Sequence, residues 1–140
     1  MFIILSHIIC YDIWFYFSHI LLHTKWLINI HKIHHIKSYK YLVYTDTNVG
    51  HFIEGPLQNI GLFVPLLFIT PKINSFIIAS LFLGIRALMR HDNRCSWLIG
   101  NHPILHHKYP NYNFGEFWID TLCGTQCPNN AEYIYGLIYI

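Results

Sequence analysis

Eleven histidines lie in this 140-residue chain, more than its nine lysines and arginines together. The first cluster is His19 and His23, the second is His31, His34 and His35, and the third is His102, His106 and His107. Spacings of three and four residues bring imidazoles to one face of a helix. Neutral imidazoles bind Fe, Zn, Cu or Ni and disfavour Mg and Ca. One pair arises easily by chance, but three clusters predict a metal site with more ligands than one ion can use, so we expect two ions.

Two carboxylates and one phenol near these clusters could orient the ligand histidines. Asp12 and Tyr16 fall on the same helical stripe as the first cluster. Asp92 directly follows the isolated His91, where its carboxylate could hold the second imidazole nitrogen. Carboxylates in this role are common at metal-binding histidines. We expect Asp12, Tyr16 and Asp92 to support the site, and a plain membrane-interface position is the alternative for the first two.

The composition predicts that much of the surface faces lipid. Charged residues make up 11% of the chain and apolar residues 54%, whereas soluble domains carry about 25% charged residues. The net charge of +2 gives no support for nucleic-acid binding. Four scattered cysteines are too few for a disulfide framework. The length corresponds to a single domain, residues 1–140.

Two apolar stretches are the candidate membrane segments. Residues 1–17 are nearly all apolar and would form a helix of about 26 Å, close to the hydrocarbon thickness of a bilayer. No basic segment precedes this run and no small-residue cleavage site follows it, which disfavours a signal peptide. The second stretch, residues 57–88, is interrupted at residues 70–72. Its halves fit a short helical hairpin that enters and leaves the membrane at one face.

The basic residues predict the orientation of these segments. Eight of the nine lysines and arginines flank the histidine clusters, and only Lys72 lies at the tip of the hairpin. Loops rich in lysine and arginine stay in the cytoplasm. We therefore expect an all-α integral membrane protein with one transmembrane helix, a short membrane hairpin and a histidine-rich helical cap in the cytoplasm.

Three stretches of the chain resemble a known family. The first carries HxxxH and HxxHH, between His19 and His35. The second is residues 51–58, HFIEGPLQ, which is similar to a His-Pro-x-Asp-Gly-x-x-Gln motif. The third runs from His91 through the paired histidines at 106 and 107 to residues 112–125. Together they resemble the fatty acid hydroxylase and sterol desaturase superfamily, and within it the sterol C5-desaturases, over about residues 12–130.

This resemblance implies an enzyme of the endoplasmic reticulum membrane that oxidises lipids at two iron ions, with zinc as a substitute in purified protein. Such enzymes use O2 and two electrons, delivered from NAD(P)H through cytochrome b5 or a reductase. They remove hydrogen from an unactivated C–H bond of a membrane lipid or sterol. The product is a C5(6) double bond in the sterol desaturases and an alcohol in the lipid hydroxylases. The family's metal ligands correspond here to His19, His23, His31, His34, His35, His91, His106 and His107.

Three departures from the family pattern bear on activity. Two further membrane helices usually precede the first histidine box, and Ile20 stands where a polar residue is common. The third box normally reads HxxHH, but Pro103 replaces its first histidine and His102 lies one place earlier. Residues three and four positions apart share a helix face, and proline suits the first helical position. We therefore expect His102 to bind the metal in place of the missing ligand.

Two other functions are compatible with the sequence. A catalytically inactive relative that binds lipid or a partner protein would tolerate both the missing helices and Pro103. A membrane haem protein would need only two facing histidines, and it would leave the paired histidines at 34–35 and 106–107 unexplained. Burial of a lone first helix would also favour a homo-oligomer.

Overall fold

The computed structural model describes residues 1–138, and this part of the chain is helical throughout, without a β-strand. Its α-helices are α1 (Phe2–Leu22), α2 (Ile28–His31), α3 (Glu54–Phe63), α4 (Ile73–Arg90), α5 (Ser96–Ile99), α6 (His102–Lys108) and α7 (Phe117–Cys123). Short 3₁₀ turns occur at Tyr39–Tyr41, Tyr44–Asn48, Val64–Leu67, Asn93–Cys95 and Asn130–Glu132. The predicted all-α class is confirmed for the described residues.

Side-chain hydrogen bonds fix the direction of α3 relative to α1. His7 Nδ1 lies 2.7 Å from the Leu62 carbonyl oxygen, and the Trp14 indole nitrogen donates to the Leu57 carbonyl at 2.7 Å. Later positions on α1 therefore contact earlier positions on α3. The two helices are therefore antiparallel. This is the direction expected for the first arm of the hairpin, which starts at the end of the bundle that bears the histidine clusters.

α4 runs parallel to α1, because its contacts with α1 advance in the same direction along both helices. Phe76, near the start of α4, packs edge-on against His7. Arg86, near its end, forms an ion pair with Asp12. The hairpin tip, where Lys72 precedes α4, therefore lies at the end of the bundle away from the histidine clusters.

Two of these helices are long and apolar enough to cross a membrane. α1 has 21 residues and α4 has 18, which correspond to about 32 Å and 27 Å of helix. α4 buries Ala79 and Leu83 in a small core but exposes Leu81, Phe82 and Ile85. A core helix of a soluble protein would bury most of its apolar side chains, so this pattern is compatible with contact to lipid. α3, with 10 residues, is too short to span a bilayer.

Four charges, of which Asp12, Arg86 and Glu116 are buried, join the two long apolar helices to the loop before α7. Asp12 pairs with Arg86, and Glu116 contacts both Arg86, at 3.2 Å, and Arg90. Two cations and two anions balance each other, which offsets part of the cost of burying each charge. The structure thus places Asp12 in an ion pair instead of against a ligand ring. The reason is its depth: seven residues before His19 is about 10 Å further along the helix.

Gly61 allows α3 to approach α1 closely. A Cβ atom there would lie 2.4 Å from the Cβ of Trp14 and 2.8 Å from the Cys10 carbonyl oxygen, neither of which can move easily. We expect Gly61→Ala to lower the free energy of unfolding in detergent by about 1–3 kcal/mol, as overpacking does. Gly55→Ala in the same helix is the matched control, because nothing lies within 4 Å of its added Cβ. Equal losses in both variants would contradict the close packing of these helices.

Candidate metal centre

Five histidines from three parts of the chain form the first histidine group. They lie at the end of α1, in α2 and the turn after it, and in α6: His19, His23, His31, His35 and His106. One donor nitrogen of each lies within 4.8 Å of the others. His31 is central, because its Nε2 atom lies 3.0 Å from the Nε2 atoms of both His19 and His35.

Three histidines form the second histidine group beside the first. His34 follows α2, His91 follows α4 and His107 lies on α6, and their donor nitrogens also lie within 4.8 Å of one another. The Nε2 atoms of His34 and His91 are 3.1 Å apart. The two groups adjoin, since the ring centroids of His35 and His107 are 4.7 Å apart. The fold therefore gathers eight of the nine predicted ligand histidines around two centres.

Hydrogen bonds on the outer side of the rings fix which nitrogen faces inward. The Nδ1 atoms of His19, His34, His91 and His106 lie 2.6, 2.8, 3.2 and 2.7 Å from backbone carbonyl oxygens. A carbonyl oxygen only accepts, so each Nδ1 carries the proton and each Nε2 presents a lone pair to its group. The 3.1 Å between the Nε2 atoms of His34 and His91 therefore separates two lone pairs. These repel unless a cation lies between them, so this donor set fits metal ions.

Burial lowers the pKa of several of these imidazoles, so that they are uncharged at neutral pH. Burial and, to a smaller extent, neighbouring histidines together lower the pKa of His23 to about 4 and the pKa values of His35 and His91 to about 3. A metal ion would have to displace a proton from a charged imidazole, which weakens binding. Because these rings are already uncharged, binding does not include that unfavourable step. His107 also favours an ion, because both of its ring nitrogens are buried without a hydrogen bond. Buried polar atoms ordinarily have a partner.

A haem fits this arrangement poorly. The closest Nε2 atoms of neighbouring rings are 3.0–3.1 Å apart, which leaves no space for a flat macrocycle between them. The rings also surround two points instead of forming one facing pair. The geometry therefore favours bare metal ions over bis-histidine haem ligation.

Comparisons with known proteins identify the family. The model described as fatty acid hydroxylase matches residues 4–125, which is most of the chain. The chain belongs to the fatty acid hydroxylase family. It is also similar to a Delta(7)-sterol 5(6)-desaturase from Eremothecium gossypii, with 32% identity over 99 residues that cover 63% of this chain. The chain spans only 27% of the length of that relative, and no solved structure matches it.

Glu54 is a site residue that the spacing of the histidines did not reveal. It begins α3 and is buried, with one carboxylate oxygen on His31 Nδ1 and the other 3.2 Å from the backbone nitrogen of His51. A carboxylate on the outer nitrogen of a ligand histidine fixes the ring and raises its basicity. The signal that could have indicated this role is the acidic position in the fatty acid hydroxylase-like motif at residues 51–58.

His102, which was expected to bind metal, lies outside both histidine groups. Its Nε2 atom is 2.9 Å from Oδ2 of Asp120, which is fully buried. The Asp120 carboxylate also accepts from the backbone nitrogens of Phe114 and Gly115 and from the Thr125 hydroxyl. His102 is the first residue of α6, and its ring is held by Asp120 of α7 instead of turning towards His106. The structure of this member of the fatty acid hydroxylase family therefore places His102 in neither histidine group.

Tyr16 and Asp92 also have partners other than ligand histidines. The Tyr16 hydroxyl lies 3.1 Å from the Thr125 hydroxyl. Arg94 donates to Asp92 at 2.6 Å, and this contact holds the pKa of Asp92 at about 2. His91, which Asp92 was expected to orient, is held instead by a backbone carbonyl of α4. Both residues therefore stabilise loops around the centre.

We expect Glu54→Gln to weaken metal binding about 10- to 100-fold, the usual effect of losing such an outer carboxylate. Glutamine keeps the size and one oxygen acceptor but removes the negative charge. The iron content of detergent-purified protein, dialysed against increasing chelator, measures the loss. Glu132→Gln is the control, because Glu132 pairs with Lys108 and with no ligand histidine. Equal retention of iron in both variants would contradict the role assigned to Glu54.

We expect His102→Ala to keep its metal and to lose stability. The substitution leaves one Asp120 oxygen with fewer partners in a buried site, which costs about 1–3 kcal/mol. His106→Ala should behave in the opposite way and lose metal. The metal-to-protein ratio and the thermal unfolding temperature, measured on the same samples, separate the two effects. If His102→Ala lost metal without losing stability, His102 would be a metal ligand after all.

Proposed function

We propose that this protein is a membrane-embedded, metal-dependent oxidase of lipids, and most specifically a sterol C5(6)-desaturase-like enzyme. The observation that carries the proposal is the pair of histidine groups at one end of a cleft between apolar helices. Membership of the fatty acid hydroxylase family supports the oxidation of a lipid. The similarity to a Delta(7)-sterol 5(6)-desaturase favours a sterol as that lipid.

The cleft lies between α3 and α4, with α1 as its floor. It encloses about 600 Å³, within the range of small-molecule sites. Tyr11 and Phe15 lead along the floor towards His19, and Ser80 and Gly84 form a wall of small side chains on α4. The inner end of the cleft reaches all three histidines of the second group. An apolar molecule could therefore enter between the helices and bring a C–H bond to the metals.

Iron ions in the two histidine groups would supply the activation of O2 and the removal of hydrogen from an unactivated C–H bond. The chain itself positions the reactants. Outer hydrogen bonds hold the ligand rings with Nε2 inward, and Glu54 does so for His31. Phe15 and Leu83 line the cleft with apolar surface, which limits the access of water to the reacting bond. Loss of a second hydrogen gives a double bond, and addition of a hydroxyl gives an alcohol.

The two electrons required would come from NAD(P)H through cytochrome b5 or a reductase. The cap around the histidine groups supports such a donor because it exposes Lys25, Lys32 and Lys40. A positive surface of this kind suits an acidic electron-transfer partner and speeds its approach.

The proposed location is the endoplasmic reticulum membrane, with several passes and with the histidine groups facing the cytoplasm. Arg86 and Arg90 are buried in α4 and paired with carboxylates, so they are not loop charges as the sequence count assumed. The other cations on the histidine side are Lys25, Lys32, Lys37, Lys40, Arg94 and Lys108. Lys72 alone lies at the opposite end, and this asymmetry supports the orientation.

Turnover of defined lipids tests the proposed function. Iron-loaded protein in vesicles, supplied with cytochrome b5 and its reductase, would be incubated with a Δ7-sterol or with an acyl lipid. We expect a 5(6) double bond in the sterol and no product from His106→Ala. A hydroxylated acyl lipid would assign the hydroxylase alternative instead. Absence of product from either lipid with iron-replete protein would favour an inactive relative.

We expect Gly84→Phe to lower kcat/KM for the lipid at least about tenfold, because the ring would occupy the cleft and displace the substrate. Nothing lies within 4 Å of a Cβ at this position, so the protein itself need not shift. Ile85→Phe is the matched control, since Ile85 is exposed and does not line the cleft. Metal content should be unchanged in both variants. Full activity in Gly84→Phe would show that the substrate does not use this cleft.

A further inference from the structure

We propose that the two histidine groups hold their metal ions unequally. The first histidine group binds its ion tightly and nearly fills the coordination shell of that ion. The second binds more weakly and keeps open positions towards the cleft, where a small external ligand reaches the ion. This inference rests on the metal dependence in the proposed function, but it does not depend on which lipid is oxidised.

The number of donors differs between the groups. The first offers five imidazole nitrogens and the second offers three. An ion of six-fold coordination therefore has about one position left in the first group and about three in the second. Three protein donors with open positions are typical of ions that bind external ligands. Donor number alone thus predicts a difference in both affinity and access.

The two groups also differ in how their rings are held. His31 and His106 are 0% and 2% exposed, and their outer nitrogens bond to Glu54 and to a backbone carbonyl. In the second group, His34 has an outer hydrogen bond of 2.8 Å and that of His91 is 3.2 Å long. His107, the third ring of this group, has no hydrogen bond on either nitrogen. A ring that is fixed before binding loses less entropy when it binds. Preorganisation therefore acts in the same direction as donor number.

The cleft gives access mainly to the second group. All three of its histidines line the cleft, whereas only His19 and His106 of the first group do so. Pro103 also lines the cleft, four residues before His107 on α6, and it offers no donor. The histidine next to it is held away by Asp120. The open positions of the second group therefore face the cleft.

Anaerobic titration of the full chain with Fe²⁺ in detergent tests this inequality, with calorimetry and elemental analysis as readouts. We expect two binding steps whose dissociation constants differ by more than about tenfold. His107→Ala should abolish the weaker step and keep one ion per chain. His35→Ala, at a ring outside the cleft, should weaken the tighter step. Two dissociation constants that differ by less than about tenfold would overturn the proposal. Loss of both ions from a His107→Ala variant that keeps its helical content would also overturn it.

Pro103→His adds a donor instead of removing one. Four residues before His107, the new imidazole would lie on the same face of α6, and it should tighten the weaker step about tenfold or more. Pro103→Ala is the control, because it removes the proline ring without adding a donor, and both steps should stay unchanged. The assignment of the open positions would be overturned if Pro103→His did not tighten the weaker binding step. It would also be overturned if Pro103→Ala tightened that step equally.

Nitric oxide reports which ion is open to external ligands. Added to the ferrous protein, it should give the electron paramagnetic resonance signal of an iron–nitrosyl centre, and His107→Ala with one ion should lose most of that signal. An undiminished signal per iron in His107→Ala would assign the open position to the first group and overturn the proposal. None of these readouts uses lipid turnover, so unequal ions in a protein that oxidises no lipid would contradict the proposed function alone.

Discussion

The metal centre depends on one electrostatic constraint, which is that imidazole lone pairs facing each other need a cation between them. His34 and His91 approach to 3.1 Å through their Nε2 atoms while their Nδ1 protons are engaged by backbone carbonyls. Turning either ring would break its hydrogen bond to the carbonyl of Val49 or Ala87, and each such bond contributes to stability. Other rings of the two groups lie on short helices, His31 on α2 with 4 residues and His106 and His107 on α6 with 7, and helices of this length are not stable alone. The cap and its ions are therefore expected to form together.

Buried carboxylates connect this cap to the two long apolar helices. Asp120 accepts from the backbone nitrogen of Phe114, and the carbonyl of Phe114 accepts from His19 Nδ1. A continuous line of hydrogen bonds thus runs from α7 to the end of α1. Glu116, in the same loop, pairs with arginines of α4. One loop therefore orients a ligand ring and fastens the two long helices, so a change in it would reach the metals without touching a ligand.

The sequence allowed the helical class, the apolar segments and the gathering of eight histidines to be predicted, because these follow from composition and local spacing. It could not assign the rings to groups. His31 and His34 lie in one cluster but in different groups, because the chain turns after α2. Local spacing also could not predict contacts between segments that are distant in the sequence. Asp12 was expected near the rings, but its ion-pair partner Arg86 is 74 residues away in the sequence. His102 was expected to bind metal, but its ring forms a hydrogen bond with Asp120.

The two groups also differ in the segments of chain that must meet to form them. Four of the five rings in the first group lie between His19 and His35, within one end of the bundle. The second group joins His34 to His91 across 57 positions and needs α4 in its place beside α1. Longer closures cost more chain entropy, although the cost rises slowly with length. Four rings of the first group can therefore come together before the hairpin docks, with His106 joining them later, whereas the second group exists only in the complete fold. The weaker ion is thus placed where the cleft, and so the substrate site, is also complete.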